Sequence, residues 1–578
     1  MAMSEDTDRP HSTATRRRRW PWVVAGIAIA IVGVAAWLGS KALIVRNELV
    51  AAQLATTELR TSGDAMSSLK TIAEHAERAA DAAHDPVWAA AEHLPWAGDN
   101  LRAVRLSTDA LDALTGGLAL PALAALHADS DDPMLVRLLP VLRNAAPGIT
   151  SLNGELKQLR QSPNLVAQLR PGVDQVADVV AVADPVLNFL PGMLGADGTR
   201  NYLLVAQSNA ESLALGGSAA SQSLIRFSHG DLKIVKQADS SQYQWGVPAD
   251  VEIDKSAIEL YNDYLINNVN TSVGRPDWPT AARTIVALWN RDIDPKPVDG
   301  VISVDPLALA RIMRATGPVK VDNHELTSKN VVSFLLSDAY ALYTPARSDE
   351  IFKQVALATM DSLVSGDFEP GALLSAVNES IDAGSIMFWS ADPTVQELIT
   401  PWRLSGILPT TNLPTTTIGV FFRDASLGSK IDYYLRTEST VSSSCKSDGS
   451  VTYTVRVTVW LDLTEKQAKK LPRYVTGGEL STKTFRTQVF IYGPPGTKVG
   501  KEIREHGTGK SWNWRPLDTT DLGRPVPSFM TVNPLGGARV TVGATFVGRP
   551  GDLGPLQVRT TPMVHPTKVT LEDRCTVR

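Results

Sequence analysis

The sequence predicts a multidomain α+β protein with an N-terminal transmembrane helix, a helical stalk, an α/β domain and a C-terminal antiparallel β-sandwich. Three observations support this fold class. One charge-free apolar run follows a basic block, strand and helix patterns alternate in the middle of the chain, and short strands dominate its last third. The predicted boundaries are 1–19 for a cytoplasmic tail, 20–43 for the transmembrane helix, 44–185 for the stalk, 186–405 for the α/β domain and 406–578 for the β-sandwich.

The composition excludes several classes of protein. The chain has 578 residues, which is roughly four domains at about 150 residues each. Hydrophobic residues make up 43% and charged residues 20%, so most of the chain can bury a core and wholesale disorder is excluded. The formal net charge of −5 leaves no basic excess for nucleic acid. A mean hydropathy of −0.05 excludes a polytopic membrane protein.

The N-terminal region predicts a membrane anchor. Arg16–Arg19 form a basic block, and the uncharged run Trp20–Leu38 that follows has tryptophans at both ends. The basic block favours a cytoplasmic N-terminus, so we expect a single-pass protein of the cell membrane with its main body extracytoplasmic. The alternative is a cleaved signal peptide, but the run is longer than usual for one and continues into Lys41 without a clean cleavage site.

The region after the anchor predicts helices. Leu49–Ala83 is rich in alanine, has apolar residues at helical spacing and lacks proline, so one long helix leaving the membrane is the simplest interpretation. Shorter helical patterns follow as far as Val182. We interpret this region as a passive spacer, with a partner-binding helical bundle as the alternative.

The middle of the chain predicts strands and helices in alternation, which is typical of helices packed on a sheet. Tyr202–Ala206 predicts a buried strand, and Gln222–Phe227 with Leu232–Val235 predicts a hairpin. The further predicted elements are strands at 298–304 and 319–321 and helices at 281–289, 306–315, 330–343 and 350–364.

The last region predicts β-structure and a disulfide. Val451–Leu461 alternates almost strictly between apolar and polar residues, as a half-buried antiparallel strand does. Cys445 and Cys575 are the only two cysteines, which excludes a disulfide-dense scaffold or a cysteine-ligated zinc array. Because an exported domain lies in an oxidising environment, a disulfide between them is predicted, with two free thiols as the alternative.

Polar residues concentrate where the first strand of the α/β region is predicted to end. Gln207, Asn209 and Glu211 follow that strand, and Gly216 and Gly217 come next. Ligands of α/β sheets bind beyond the carboxyl ends of strands, and glycines there let backbone N–H groups approach an anion. These five residues are therefore the predicted ligand-binding residues.

A second candidate site opens a predicted helix. Arg347, Asp349 and Lys353 place two cations near one carboxylate, which would suit a phosphate or a phosphate–metal pair. The alternative is a solvated helix start, which the spacing alone favours. The sequence contains no HExxH, GxSxG or P-loop motif, and it identifies no set of metal ligands.

Several motifs occur together in a recognisable order: Leu194–Val205, Asn209–Glu211, Gly216–Gly217, Val298–Pro306, Ala315–Val319, Asp432–Thr437 and Arg559–Pro562. They resemble the family of domain of unknown function 4012, which is common in actinobacteria and is built as single-span exported proteins. The resemblance covers about residues 190 to 578. It implies a location in the cell envelope, and the family carries no assigned activity.

A second resemblance implies a ligand. Val298–Val321, a strand, a helix and a second strand, is similar to the central unit of LytR-CpsA-Psr proteins, which attach glycopolymers to the cell wall from polyprenyl-pyrophosphate donors with Mg²⁺. It implies that Arg347 and Lys353 hold pyrophosphate and that Asp349 helps to place the metal. The chain departs from that family, because Gly216-Gly217-Ser218 stands near the place of a charged Arg-Ser-Asp signature.

The first family's pattern also has an arginine where this chain has Leu213. Loss of a positive charge that neutralises pyrophosphate would remove much of the catalysis. We therefore expect a non-catalytic, extracytoplasmic envelope protein that binds or organises a cell-surface glycopolymer or its lipid-linked precursor. The alternative is a Mg²⁺-dependent glycopolymer phosphotransferase of the LytR-CpsA-Psr type. The expected partners are the membrane, through one helix, and the glycopolymer or polyprenyl-linked precursor; no nucleic acid is expected, and Mg²⁺ only under the alternative.

Overall fold

The structure is a computed structural model that describes residues 20–575, apart from 60–64, 129, 131, 367, 427, 478–484, 507–508, 550 and 552. The side chains of residues 20–31, 56–59, 65, 345–346, 349, 364 and 506 also lie outside the description. The chain is a multidomain α+β protein with two compact units. The first unit takes Met1–Ala125 and Val141–Asn188, and the second takes Leu126–Pro140 and Phe189–Arg578.

The described regular structure of the first unit is helical. The N-terminal helices of the chain are α1 (Trp20–Leu59), α2 (Ala65–Ala83), α3 (Pro86–Ala91), α4 (Gly98–Leu114), α5 (Leu120–His127), α6 (Met134–Arg160) and α7 (Arg170–Met193). By length and composition, the stretches Gly98–His127 and Arg170–Met193 could each cross a bilayer, although core helices of soluble proteins pass the same test.

The single long helix predicted over Leu49–Ala83 is wrong, because α1 and α2 run antiparallel to each other. The Glu48 carboxylate of α1 lies 2.6 Å from the Nδ1 atom of His75 of α2, and Ala52 and Ile72 belong to the same apolar cluster. Gly63, in the intervening sequence, is the helix-breaking signal that this prediction overlooked. Antiparallel packing lets the alanine-rich faces of both helices bury each other.

A mixed five-stranded sheet begins the second unit. Its order is β3-β2-β1-β4-β7, in which β1 and β4 are parallel and the other neighbours are antiparallel. The strands are β1 (Arg200–Leu213), β2 (Gly216–Ser228), β3 (Asp231–Asp239), β4 (Gly300–Val304) and β7 (Ile386–Ser390), and a separate hairpin contains β5 (Val319–Val321) and β6 (His324–Leu326). The predicted hairpin and the strands at 298–304 and 319–321 are present, whereas β7 was missed.

The first strand continues beyond its predicted end. It runs to Leu213, and the register with β2 shifts between Ser208 and Ser212, so that Asn209–Glu211 form a bulge. Ser218 opposes Ser208 and Gly217 opposes Ser212 on the far side of the bulge, and a Cβ at Gly217 would lie only 1.9 Å from the Ser208 carbonyl oxygen. The glycine pair therefore belongs to a strand and permits close approach of two backbones, instead of forming the predicted loop.

The helices of this region are α8 (Lys255–Tyr261), α9 (Tyr264–Asn267), α10 (Trp278–Asp292), α11 (Pro306–Thr316), α12 (Val331–Ser333), α13 (Ala339–Leu342), α14 (Pro345–Ser365), α15 (Pro370–Ala383) and α16 (Pro393–Ile399). Alternate residues of a strand face opposite sides of its sheet. Leu203 and Val205 of β1 pack with Trp278 of α10, whereas Leu204 and Ala206 face a cavity beside α11 and α14.

Two further five-stranded sheets share one apolar core. Their orders are β12-β17-β10-β9-β19 and β13-β16-β11-β8-β18. The elements are β8 (Thr416–Asp424), β9 (Leu435–Cys445), β10 (Val451–Leu461), α17 (Glu465–Ala468), α18 (Arg473–Thr476), β11 (Arg486–Tyr492), β12 (Lys498–His506), β13 (Lys510–Asn513), β14 (Thr520–Asp521), β15 (Arg524–Pro525), β16 (Ser528–Val532), β17 (Val540–Gly548), β18 (Leu556–Thr560) and β19 (Lys568–Glu572).

The predicted disulfide between Cys445 and Cys575 is confirmed, with Cα atoms 5.5 Å apart. The expectation of purely antiparallel sheets is wrong at two edges, because β18 pairs in parallel with β8 and β19 in parallel with β9. Parallel neighbours need a long connection instead of a tight hairpin. The end of the chain meets this condition, since it returns to strands that lie more than a hundred residues earlier.

Candidate functional site

The carboxyl ends of the parallel strands β1 and β4 bring two of the predicted residues together. Gln207 donates to the Ser303 hydroxyl at 2.6 Å, and Asn209 donates to Asp305 at 3.1 Å and to the carbonyl of Pro562 at 3.0 Å. Both amide side chains are buried. They therefore tie the sheet edge to the rest of the second unit, and their donors are already engaged.

Asp305 links this edge to the helix that follows β4. Its carboxylate accepts from the backbone N–H of Ala308 at 2.8 Å and thereby caps α11. Burial raises the pKa of Asp305, although the hydrogen bonds from Ala308 and Asn209 oppose that shift. The carboxyl is thus part of the sheet–helix junction.

A cavity of about 480 Å³ opens beside the bulge of β1. We call it the polar cleft, and its charged lining residues include Glu211, Arg423, Asp424 and Lys430. Glu211 forms an ion pair with Lys430, and Lys430 is only 9% exposed. The predicted residue Glu211 therefore lies in the cleft, and its partner stands 219 residues later in the chain.

Two tyrosines surround the charge of Lys430. Its Nζ lies 5.2 Å from the ring centroid of Tyr340 and 4.8 Å from that of Tyr474. Burial alone lowers the pKa of Lys430, but the Glu211 carboxylate outweighs burial and raises it. Lys430 is therefore held as a cation in the wall of the cleft.

Two buried carboxyl groups lie near that ion pair. Asp424 accepts from the backbone of Ser426 at 2.7 Å and from the Ser429 hydroxyl at 2.9 Å. Asp432 accepts from the backbone N–H of Ser212 at 3.2 Å and is 2% exposed. Burial raises the pKa of both groups, and the Asp432 charge raises that of Asp424 further. The pair resists full ionisation at neutral pH.

The solvent-facing rim of the polar cleft carries an aromatic side chain and neutral polar groups. Trp245 is 73% exposed. Around it, the cleft is lined by hydroxyl and amide side chains from Ser240, Ser241, Asn268, Asn270 and Thr271. An exposed indole ring presents an apolar face, and the amides and hydroxyls both donate and accept hydrogen bonds. This combination suits the alternating C–H and O–H surface of a sugar.

A second cavity of about 190 Å³ adjoins the polar cleft. We call it the apolar cavity; it lies between β1, α11 and α14, and its lining includes Leu204, Leu309, Leu336, Ala356 and Met360. The two cavities share the lining residues Ser208, Ala220, Tyr340 and Phe352. A charged, polar space thus borders directly on an apolar one.

The candidates Arg347, Asp349 and Lys353 lie on α14, the first two within its first five residues and Lys353 in its third turn. Arg347 forms an ion pair with Asp322 in the β5–β6 turn, and the side chain of Asp349 lies outside the described residues. Neither Arg347 nor Lys353 lines the polar cleft or the apolar cavity. The same helix does contribute Phe352 to both cavities.

The described side chains also bear on the Mg²⁺ that the second resemblance implies. Within the described part of the chain, no group of three or more His, Cys, Asp or Glu side chains could hold a metal ion. Mg²⁺ is commonly held by one or two carboxylates together with substrate phosphates, and the side chain of Asp349, which the second resemblance assigns to the metal, lies outside the described residues. We therefore derive no chemical step through Mg²⁺.

Sequence reasoning missed most of the polar cleft. Arg423, Asp424 and Lys430 come from the strand and loop that precede β9, far from the β1 motif. One available signal was Lys430, since it stands two residues before the Asp432 motif. Trp245 offered no signal, because a lone tryptophan in a loop has no periodicity that reports its surroundings.

A protein-family match covers part of the residues that form this site. Residues 197–340 match the model of a protein family described as a protein of unknown function, DUF4012. The match contains β1, β2, β4 and Tyr340, and it ends before Arg423 and Lys430; it is shorter than the resemblance over about residues 190 to 578. No curated protein and no solved structure matches the chain.

Proposed function

We propose that this chain is a single-span, membrane-anchored extracytoplasmic envelope protein that binds a lipid-linked precursor of a cell-surface glycopolymer and does not transform it. The observation that carries the proposal is that the polar cleft and the apolar cavity lie side by side and share four lining residues. A molecule that fits both must join a polar group to a hydrocarbon chain. A free glycopolymer would use only the polar cleft, so the lipid-linked form is the better fit.

The apolar cavity supports the lipid part of the proposal. Its walls are mostly aliphatic side chains from β1, α11 and α14. Moving a hydrocarbon chain from water into such a space is favourable by roughly 25 cal/mol per Å² of apolar surface removed from water. The cavity would hold the part of the chain nearest the headgroup.

The polar cleft supports the part of the proposal that concerns the headgroup. Arg423 donates to the Tyr261 carbonyl at 3.2 Å and forms no ion pair with any described residue, so its charge is free to attract an anionic linkage. Trp245 and the neighbouring amides would contact the first sugars. The order along the ligand would be hydrocarbon, anionic linkage and saccharide.

The N-terminal helix supports the membrane anchor. Within the described side chains of the apolar run, Val32 is 68% exposed and Trp37 is 49% exposed. Trp37 donates to Asp85 at 3.0 Å, and Lys41 forms an ion pair with the same carboxylate at 3.2 Å. A bilayer would cover the exposed apolar side chains, and these polar contacts would mark its outer boundary.

The non-catalytic part of the proposal rests on the engagement of the predicted polar residues. The side-chain N–H groups of Gln207 and Asn209 donate hydrogen bonds to neighbouring strands and loops, and Arg347 forms an ion pair with Asp322. None of these groups is left to stabilise charge that develops during a reaction. The phosphotransferase alternative stays a prediction that no observation here favours.

The experiment that tests the proposal fills the apolar cavity with a larger side chain and measures ligand binding. The full chain in detergent is titrated with a polyprenyl-pyrophosphate-linked disaccharide, and binding is measured by native mass spectrometry and calorimetry. Ala356→Trp fills the cavity and is expected to weaken binding about tenfold or more. The matched control is Leu357→Trp at the next position, which is 38% exposed and should bind normally.

Two outcomes would contradict the proposal. One is equal binding by Ala356→Trp and the control, provided that both keep the near-ultraviolet circular dichroism of the native chain. The other is release of phosphate from the ligand by the purified native chain with Mg²⁺, which would favour the phosphotransferase alternative.

A further inference from the structure

A cavity of about 470 Å³ in the second unit is lined by three arginines. We call it the arginine cavity; Arg311 comes from α11, Arg403 from the 3₁₀ turn Arg403–Ser405, and Arg559 from β18. One carboxylate, that of Asp382 near the end of α15, also lines it. The cavity shares no lining residue with the polar cleft or the apolar cavity.

The guanidinium groups of this cavity have no anionic hydrogen-bond partner among the described residues. The Nε of Arg403 and one Nη of Arg311 are buried and donate no hydrogen bond to a described residue. Arg559 donates only to neutral groups, the Ile407 carbonyl at 2.7 Å and the Gln557 side chain at 3.4 Å. A buried donor without a partner is costly, so these groups point to a ligand that accepts hydrogen bonds.

The charges of the cavity are also poorly balanced. None of the three arginines forms an ion pair with a described residue, although Asp382 acts at longer range on Arg403 and Arg311 acts at longer range on Glu379 and Asp305. Burial and the neighbouring charge of Arg559 lower the pKa of Arg403 to about 10. Folding therefore holds together positive charges that repel one another, and an anion between them would relieve that repulsion.

The kind of anion follows from the chemistry of guanidinium. Its planar fork of N–H donors matches the paired oxygens of a phosphate group, which can accept several such bonds at once. Hydroxyl groups of Ser385 and Thr560 also line the cavity and would donate to the same oxygens.

We propose that the arginine cavity is a binding site for a phosphate group, supplied either as free phosphate or as a phosphodiester within a polymer or lipid. The site does not depend on the function proposed above, because it uses different residues. It gives the second unit a second anion-binding surface besides the polar cleft.

The experiment titrates the full chain in detergent with two probes, inorganic phosphate and bis-glycerol phosphodiester, at constant ionic strength in chloride. Either probe is expected to raise the Tm by about 2–4 °C near saturation. Arg403→Gln should weaken binding of that probe about tenfold or more. The exposed Arg283→Gln, with the same loss of charge, is the matched control and should bind normally.

The Tm without ligand separates binding from a structural role. Because Arg403 is an uncompensated charge, Arg403→Gln should keep or raise the Tm of the free chain, whereas loss of a structural arginine would lower it. Stronger binding of the phosphodiester would identify a polymer or lipid as the source, and stronger binding of inorganic phosphate would identify the free ion.

Three results would overturn this proposal. The first is failure of both probes to bind the native chain. The second is unchanged binding by Arg403→Gln. The third is loss of binding in Arg423→Gln but not in Arg403→Gln, which would move the phosphate to the polar cleft and leave the function proposed above intact.

Discussion

The second unit buries arginine in two contrasting ways. Arg275, with a side chain 2% exposed, donates to Asp521 at 2.7 and 3.0 Å, to Asp254 at 2.6 Å and to Asp277 at 3.0 Å. Arg403, in the arginine cavity, has no ion pair with any described residue. The same residue type is thus surrounded by acceptors in one place and left without them in the other.

The difference separates a structural role from a binding role. Around Arg275, all three guanidinium nitrogens are satisfied, and Asp521 also accepts from the Tyr492 hydroxyl at 2.8 Å. These carboxylates raise the pKa of Arg275 in spite of burial. A completed cluster holds elements together, whereas an incomplete one is ready to accept an external anion.

The largest loss of stability is expected when Arg275 is replaced. Arg275→Gln leaves Asp521 buried with no cation, so the free energy of unfolding should fall by about 3–5 kcal/mol. Calorimetry of the full chain in detergent measures the change. Arg403→Gln is the matched comparison and should leave the free energy of unfolding unchanged or raise it, because it removes a buried charge that has no ion-pair partner among the described residues. Equal destabilisation by both variants would break the comparison.

An intermediate effect is expected at the polar cleft. Lys430→Met removes the cation that pairs with Glu211 and should lower the free energy of unfolding by about 2 kcal/mol, because Glu211 stays partly buried without a partner. The double variant Lys430→Met with Glu211→Gln should recover part of that loss. Additive losses in the double variant would show that the ion pair contributes nothing.

The smallest effect is a pH dependence caused by Asp424. Because burial raises its folded-state pKa, its contribution to stability is fully present below the unfolded pKa of about 4 and is lost as the pH rises through the folded value. Asp424→Asn should therefore reduce the fall in stability between pH 5 and pH 8 by about 1 kcal/mol. Tm measurements across this range, with exposed Asp250→Asn as control, test it; an unchanged profile in Asp424→Asn would contradict it.

Local patterns in the sequence predicted many individual elements. The alternation of Val451–Leu461 predicted a strand over 450–463, and β10 occupies Val451–Leu461 within it; the apolar run near Val298 predicted β4. These predictions succeed because alternation reports which face of a strand is buried. The residues Asp432–Thr440 are rich in Thr, Tyr and Arg and also predict a strand, but β9 begins only at Leu435. Asp432 lies in a 3₁₀ turn from which its carboxylate accepts from the backbone N–H of Ser212.

The candidate site could be predicted only in part. Glu211 was among the predicted residues and lies in the polar cleft, while Gln207 and Asn209 stand at the predicted sheet edge with their side chains tied to Ser303 and Asp305. The cations that complete the cleft belong to distant segments. Their positions depend on how the sheets pack, which no local pattern reports.

By itself the sequence determined the mixture of helices and strands, the candidate segment for an anchor, and the pairing of its two cysteines. The tertiary structure decided which charges meet. Glu211 and Lys430 stand 219 residues apart, and Asn209 contacts Pro562 across 353 residues. The physical reason is the separation of the interacting residues along the chain. Periodicity, turn residues and helix caps act between residues that are close in sequence, whereas charge compensation depends on the packing of whole sheets and helices.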